Sequence, residues 1–390
     1  MNILYISSFV YRKNSSAAIR NNKLIEGLVA IGHSVDVLTV QYSDEWTDPS
    51  LLNNHLRLGV SSTNYNVFSK NSISPNRSRK RIKNYLPKSI YNFVKNVVAF
   101  PDVDKKWLEK DLIVEDKYDL IVSSSDTKTS HFLAEKILDE QKITAQWVQI
   151  WGDPWASDVN LDFLSRRFVS SSEKRLLRKA SKIFYVSELT ALEYKDKYPE
   201  LSDRVHYIAR SFYKKILLEP KDRNNSDYTI FYPGSLNENR SIRKLCEKIK
   251  SFNLYSHRNI NLRICGYQHD NIINCYKQYD FVEFLGSMSI DEVYSEFINT
   301  DLLLFVDNGS ESTQIPGKIF DYYGTNLPIL ALVSEGNQKM IDFLNRDERT
   351  VIMDKESQQD IGFLLELEKT DQVNEYYSPE SVARRFLGEL

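Results

Sequence analysis

Two rhythms of apolar residues alternate along this chain. Ile3–Ser7 is a short apolar run. In Ala17–Ile31 the apolar residues Ile19, Leu24, Leu28 and Ile31 recur on one helical face, and Gly32 closes the stretch. A second apolar run, Ser34–Val40, comes next. Strand, helix and strand in this order predict a βαβ unit, and a βαβ unit implies a parallel sheet. The rhythm continues with strands at Leu120–Ser123, Ala145–Ile150 and Lys182–Val186, and with helices at Ser130–Gln141 and Ser171–Ala180. It restarts in the second half. Strands are predicted at Tyr228–Tyr232, Asn261–Cys265, Phe281–Phe284, Asp301–Val306 and Pro328–Leu332. Helices are predicted at Ser241–Phe252, Asp291–Ile298, Lys318–Tyr323, Gly336–Leu344 and Ser378–Leu390.

This pattern predicts an α/β protein of two Rossmann-like domains. The first spans 1–208 and the second 209–376, with a polar linker within Ala209–Asp227. Residues 377–390 form a helix that returns to the first domain. The length of 390 residues independently favours two cores over one. One region breaks the rhythm. Residues 49–101 contain no Asp or Glu but nine Lys or Arg residues, and read as a basic insertion. Within it, Arg77–Val98 interleaves cations with Tyr85, Leu86, Ile90, Tyr91 and Phe93. Such a segment is either a solvated insertion or an interfacial segment for an anionic membrane surface.

Composition narrows the class. Charged residues make up 27% of the chain and the net charge is −2, so no global field favours nucleic acid, and no RNA-binding module signature is present. Cys246, Cys265 and Cys275 have no metal-ligand spacing, which argues against a structural zinc or a disulfide framework. No apolar window reaches the length of a membrane span, so a cytoplasmic protein is expected, with peripheral membrane contact as an option. Only 13 residues are glycine, so those beside strand ends (Gly32, Gly152, Gly234, Gly266, Gly286, Gly324) mark loops that need them.

Three loops carry candidate chemistry. The first runs from Glu311 to Gly324 and reads strand, polar loop, Ile315-Pro316-Gly317, then a helix opening on Lys318. A helix start and a lysine at the carboxyl edge of a parallel sheet suit an anionic ligand, phosphate above all. The second is Tyr232-Pro-Gly234-Ser235-Leu-Asn-Glu-Asn-Arg240-Ser241, where Ser241 is an N-cap candidate and Arg240 a diphosphate contact. Alone it is an ordinary βα loop with a solvated arginine. Paired with the Lys318 loop on one sheet edge, it becomes half of a site. The third is Gln149-Ile-Trp151-Gly-Asp153-Pro-Trp155. Its aromatics and carboxylate suit a sugar or other acceptor, and equally a tryptophan-anchored core turn. In the first βα loop, Asn14 and Ser15 either touch an acceptor or cap the helix. Arg20, a cation in a first helical turn, calls for a ligand or a carboxylate partner.

With these residues in place, the chain resembles the GT-B glycosyltransferases of the large retaining family-4 type found in bacterial surface-polysaccharide synthesis. The resemblance covers nearly the whole chain. It rests on the opening βαβ with Arg20 and Gly32-His33-Ser-Val-Asp-Val-Leu-Thr39, on Pro101-Asp102 with Trp107, and on Ser123-Ser-Ser125. It rests also on Asp153 after a strand and on Glu173 ahead of Ala180-Ser-Lys-Ile-Phe-Tyr-Val-Ser187. The family's phosphate loop stands here as Gly234-Ser235-Leu236…Arg240-Ser241, with Ser235 and Arg240 replacing the usual Arg and Lys. Its two acidic residues fall on Thr313 and Asp321. Pro316-x-Lys318 before an aromatic-rich helix resembles a subset of the family.

The resemblance implies a GT-B fold, two Rossmann-like domains facing each other across a cleft. It implies transfer of a sugar from a UDP- or GDP-linked donor, with retention, to a glycan or lipid-linked glycan acceptor. It implies no cofactor and no metal, since Arg240 and Lys318 neutralise the leaving diphosphate and the departing phosphate takes the acceptor's proton. Asp153 then positions the acceptor, with Asn14, Ser15, Arg20 and Trp151 around it. Gly234, Ser235, Arg240, Thr313, Gln314, Ile315, Pro316, Gly317 and Lys318 hold the donor, and Asp321 takes the ribose. Two other readings stay open: a nucleotide-sugar epimerase of the same shape, and a non-catalytic nucleotide-sugar-binding partner in an assembly complex.

Overall fold

The computed structural model describes residues 1–13, 15–66, 97, 100–102, 104–110, 112–158, 161–219, 227–310 and 315–390. The chain divides into two compact units, Met1–Arg210 with Pro379–Leu390, and Ser211–Ser378.

In the first unit, β1 (Asn2–Ile6), β2 (Ser34–Gln41), β3 (Ser61–Asn66), β4 (Leu120–Ser124), β5 (Gln146–Trp151), β6 (Lys182–Tyr185) and β7 (Val205–Tyr207) form one parallel sheet. The strand order is β3-β2-β1-β4-β5-β6-β7. The helices are α1 (Ser16–Ala30), α2 (Pro49–Arg57), α3 (Thr129–Gln141), α4 (Phe163–Lys179) and α5 (Glu188–Lys197). Alternation along β1 divides its side chains between the two faces. Leu4 and Ile6 join a core with Leu133, Ala134 and Ile137 of α3. Tyr5 points the other way and donates to Asn21 Oδ1 of α1 at 2.9 Å.

The basic insertion expected over 49–101 begins later than the sequence suggests. Asp48 caps α2 by accepting from Ser50 N–H, and β3 pairs with β2 from Asp36–Ser61 to Gln41–Asn66. Residues 49–57 therefore form helix α2, and residues 61–66 the edge strand of the sheet. The sequence does not announce β3, because Ser-Ser-Thr-Asn-Tyr-Asn is an edge strand without apolar alternation. The segment 77–98 expected at a membrane surface lies outside the described residues except for Val97. Among the described residues no helix is long and apolar enough to cross a membrane.

In the second unit, β8 (Tyr228–Pro233), β9 (Ile260–Cys265), β10 (Val282–Gly286), β11 (Leu302–Val306), β12 (Ile329–Val333) and β13 (Thr350–Asp354) form another parallel sheet in the order β10-β9-β8-β11-β12-β13. Its helices are α6 (Arg243–Tyr255), α7 (Asp270–Tyr276), α8 (Ile290–Phe297), α9 (Lys318–Tyr323) and α10 (Gln338–Leu344). All five residues of β11 and all five of β12 are buried, as central parallel strands covered on both faces must be. Burying the five apolar side chains of β11 stabilises the unit by on the order of 10 kcal/mol relative to leaving them in water.

Both sheets reverse their strand order beside their first strand. The reversal falls between β1 and β4 in one unit and between β8 and β11 in the other. In open α/β sheets a crevice opens outside the carboxyl ends of the strands at such a point, and ligands bind there.

The final helix, α11 (Pro379–Gly388), packs on the first unit as expected. It lies so close to α1 that a Cβ on Gly27 would overlap the Pro379 carbonyl. Phe386 meets Phe184 of β6 at 4.8 Å between ring centroids, and Glu389 pairs with His206 Nδ1 at 2.8 Å.

Candidate functional site

The switch point of the second unit brings together the two loops that the sequence singled out. Gly234 follows β8, and its N–H donates to Cys265 O at 2.8 Å. The side-chain amide of Gln268 then shapes the loop: its Nε2 donates to Gly234 O at 2.9 Å, and its Oε1 accepts from Leu236 N–H at 2.8 Å. Arg240 crosses the switch point, with Nε donating to Asn308 Oδ1 beyond β11 at 2.6 Å. Lys355, beyond β13, donates to Asn239 O at 2.7 Å and pairs with the fully buried Asp307. Burial pushes the Asp307 carboxyl up. Hydrogen bonds from Lys355, Asn337 and Ser334 outweigh that and hold it below the usual range.

Lys318 reaches into this frame. Its stem is partly exposed, but its Nζ is buried 4.0 Å from the centroid of the Tyr232 ring, and a Cβ on Gly234 would overlap it. Glycine at 234 is what admits the amine. Among the described residues Nζ has no hydrogen-bond acceptor. Burial first, and the Arg240 guanidinium second, hold this amine well below the ordinary lysine range. The neighbouring Tyr232 phenol donates to Ser235 O at 3.3 Å, and burial pushes it up to about 12. The result is a guanidinium and a buried amine at one sheet edge, the amine without an anion among the described residues.

The backbone contributes less than the sequence suggested. The helix α9 has only six residues, too few for a strong dipole. Its Ile319 and Phe320 N–H groups are already bonded to Pro316 O and Gly317 O. Helix α6 begins at Arg243, with Ile242 rather than Ser241 at the cap position. Ile242 N–H donates to Tyr276 OH at 3.2 Å, and Arg243 N–H to Ser241 Oγ at 3.4 Å. Anion attraction here comes from side chains.

Asp321, expected on a ribose, is buried, and its Oδ1 accepts from Tyr213 N–H and Tyr294 OH, each at 3.1 Å. Those contacts give it a structural task within the unit, since it faces inward from α9. Ile315 is partly buried and Pro316 buried beside α9; Thr313 and Gln314 lie outside the described residues.

At the switch point of the first unit, Arg20 has the carboxylate partner its position called for. It donates to Asp126 Oδ2 at 2.5 Å, to Ser125 O at 3.2 Å and to Ser124 Oγ at 3.4 Å, so α1 is tied to the loop after β4. Ser15 caps α1 by accepting from Ala18 N–H at 3.2 Å, and Asn14 lies outside the described residues.

Trp151 corrects an expectation. It is fully buried, its Nε1 donates to Gln149 Oε1 at 2.9 Å, and its ring lies 4.4 Å from that of His131. No sugar can stack on it. It is the last residue of β5, in a sheet covered on both faces, so it belongs to the core. Trp155 is buried too, stacked on Phe100. Asp153 is exposed at the carboxyl edge of the sheet. Its setting against the body of the unit, and then the Asp126 carboxylate, hold its carboxyl above the ordinary range. Lys128 Nζ donates to Asp153 O at 3.0 Å and to Ser125 Oγ at 3.3 Å.

Sequence reasoning passed over Asp126, Lys128, Gln268, Asn308 and Lys355. Asp126 and Lys128 carry a local signal, since they directly follow Ser123-Ser-Ser125, where β4 ends. The other three act across the fold and leave no local signal.

No family model and no characterised protein matches the chain by sequence. Solved structures match its fold. TarM aligns over 100% of this chain and 98% of its own, with a TM-score of 0.58 and 12% identity. A point mutant of S. aureus TarM, in complex with fondaparinux, alpha-GlcNAc-glycerol and UDP, gives 0.54 at 11% identity over 100% and 99% of the two chains. UDP-GlcNAc 2-epimerase from Neisseria meningitidis, bound to UDP-GlcNAc, gives 0.51 at 14% identity over 100% and 99%. At such identities the likeness is one of fold. The two parallel-sheet domains are of the GT-B type, which glycosyltransferases and nucleotide-sugar epimerases share.

Proposed function

We propose that this chain is a glycosyltransferase of the retaining family-4 type. It moves a sugar from a UDP- or GDP-linked donor to a glycan or lipid-linked glycan acceptor in bacterial surface-polysaccharide synthesis. The observation that carries the reading is the buried Lys318 amine, unpartnered among the described residues and set beside Arg240 at the β8/β11 switch point. A guanidinium and a basic amine converge where a fold of this type takes its nucleotide. They suit the charge that grows on a departing diphosphate and need no metal to do it. The loop of Gly234, Ser235 and Ile315–Gly317 supplies the walls. In the first unit, Asp153 is the group offered to the acceptor, with Arg20, Asp126 and Lys128 fixing the edge around it.

The test is incubation with UDP- and GDP-sugars while nucleoside diphosphate release is followed, with and without glycan acceptors. Release that requires an acceptor supports transfer. Lys318→Ala and Arg240→Ala should each weaken donor binding about tenfold to a hundredfold, the worth of a charge-assisted hydrogen bond. Inversion of UDP-GlcNAc at C2 without an acceptor would replace this reading with the epimerase one. Donor binding without turnover under any acceptor would favour the non-catalytic partner.

A further inference from the structure

We propose that the site at the β8/β11 edge binds its diphosphate together with a proton, and that Lys318 Nζ receives it. The inference rests on the donor-site reading above and adds a charge state to it. Lys318 Nζ is buried with no acceptor in reach among the described residues. Among the described residues its surroundings offer an ammonium no anion and no hydrogen-bond acceptor, only the face of an aromatic ring. From β8 it meets the Tyr232 ring and the Gly234 backbone, from the loop after β8 the Arg240 guanidinium, and from the end of β9 the Cys265 thiol. Burial pushes both the Tyr232 phenol and the Cys265 thiol up to about 12, so neither becomes an anion near neutrality. Among the described residues, Asp307 is engaged on Lys355 and Asp321 on Tyr213 and Tyr294.

An ammonium in that setting would be desolvated, unpaired and next to a second cation, so the amine stays neutral while the site is empty. A diphosphate reverses each of those terms. It brings negative charge and oxygen acceptors to Nζ and also neutralises Arg240. The nitrogen lone pair then takes a proton from solvent, and the new N–H bond donates to a phosphate oxygen. Arginine cannot serve this way, because its guanidinium never gives up its charge. By linkage, proton and diphosphate strengthen each other's binding.

The experiment is titration calorimetry of the full chain with UDP and with GDP. At about pH 8.5 the nucleotide phosphates are already ionised and free histidines are neutral. Buffers of different ionisation enthalpy then read protons taken up per ligand bound. Uptake near one proton is expected, with affinity falling by up to about tenfold per pH unit as the pH is raised further. Lys318→Arg, charged throughout, should bind with no uptake. Lys318→Met should lose both uptake and affinity. Binding by the natural chain without uptake would overturn the proposal and leave the donor site standing. Uptake that persists in Lys318→Arg and Lys318→Met would overturn it by placing the proton elsewhere. Failure of both nucleotides to bind at any pH would remove the donor site itself, and this inference with it.

Discussion

Removing the Glu173 carboxylate should destabilise the first unit more than any loss of surface charge could. The residue sits on α4, fully buried, behind the loop that carries Asp153. Its Oε2 accepts from Ala156 N–H at 2.7 Å, Tyr194 OH at 2.9 Å and Trp155 N–H at 3.1 Å. Its Oε1 faces Lys197 Nζ and Tyr198 OH, each at 3.5 Å. In Glu173→Ala three close donors lose their acceptor inside the core. Each stranded donor costs about 1–3 kcal/mol, moderated where water enters the space, so a loss of about 3–5 kcal/mol is expected. Glu173→Gln keeps one acceptor oxygen in place and forfeits the charge assistance, for about 1.5–3 kcal/mol. All five tryptophans (Trp46, Trp107, Trp147, Trp151 and Trp155) lie in the first unit, so tryptophan fluorescence in a urea titration follows that unit alone. A loss below about 1 kcal/mol for Glu173→Ala, at an unchanged slope, would refute the reasoning, since it would mean the loop finds other acceptors.

Gly27→Ala sets helix propensity against packing: alanine favours an isolated helix by about 1 kcal/mol, but its Cβ collides with the Pro379 carbonyl. Net destabilisation of about 1–3 kcal/mol is expected in the same fluorescence titration, and a gain in stability would contradict the α1–α11 contact. Gly234→Ala should push the flexible Lys318 tip off the Tyr232 ring, lowering nucleoside diphosphate affinity severalfold in calorimetry while the melting temperature barely moves. His55, buried between Tyr11 OH and Asn22 O, is pushed by burial down to about 4. The unfolded chain binds a proton there below about pH 6.5 and the folded chain does not, so its neutral form stabilises above pH 6.5. That stability is lost as pH falls from 6.5 through 4, by up to about 3 kcal/mol, and His55→Gln should flatten the loss in urea titrations across that range.

The sequence made the repeating βαβ order, both switch-point glycine loops and the return of the C-terminal helix legible, because apolar periodicity and glycine placement are local signals. It made Arg240 and Lys318 legible as partners of one sheet edge. Other features depended on what faces what. Trp151 looked like a binding aromatic because the sequence cannot say whether a strand's last residue is covered. Ser241 looked like a cap because Tyr276 OH, which satisfies the next N–H, is 34 residues away from Ile242. Asp321 follows the motif's acidic position, yet its direction is set by Tyr213 and Tyr294, far off in sequence. The edge strand β3 carries no hydrophobic rhythm, since an edge has less to bury.

The closeness of Gly27 to Pro379 has a consequence for how the molecule comes into being. During synthesis the ribosome releases the first sheet early, but the surface of α1 that α11 covers stays bare until residues 379–390 emerge. By then residues 211–378 are available to fold by themselves. The first unit is therefore completed only after residues 211–378 have been made. A chain cut before Pro379 would leave the second unit's sequence whole and wound the first, uncovering the face of α1 around Gly27 to chaperones, proteases and neighbouring chains.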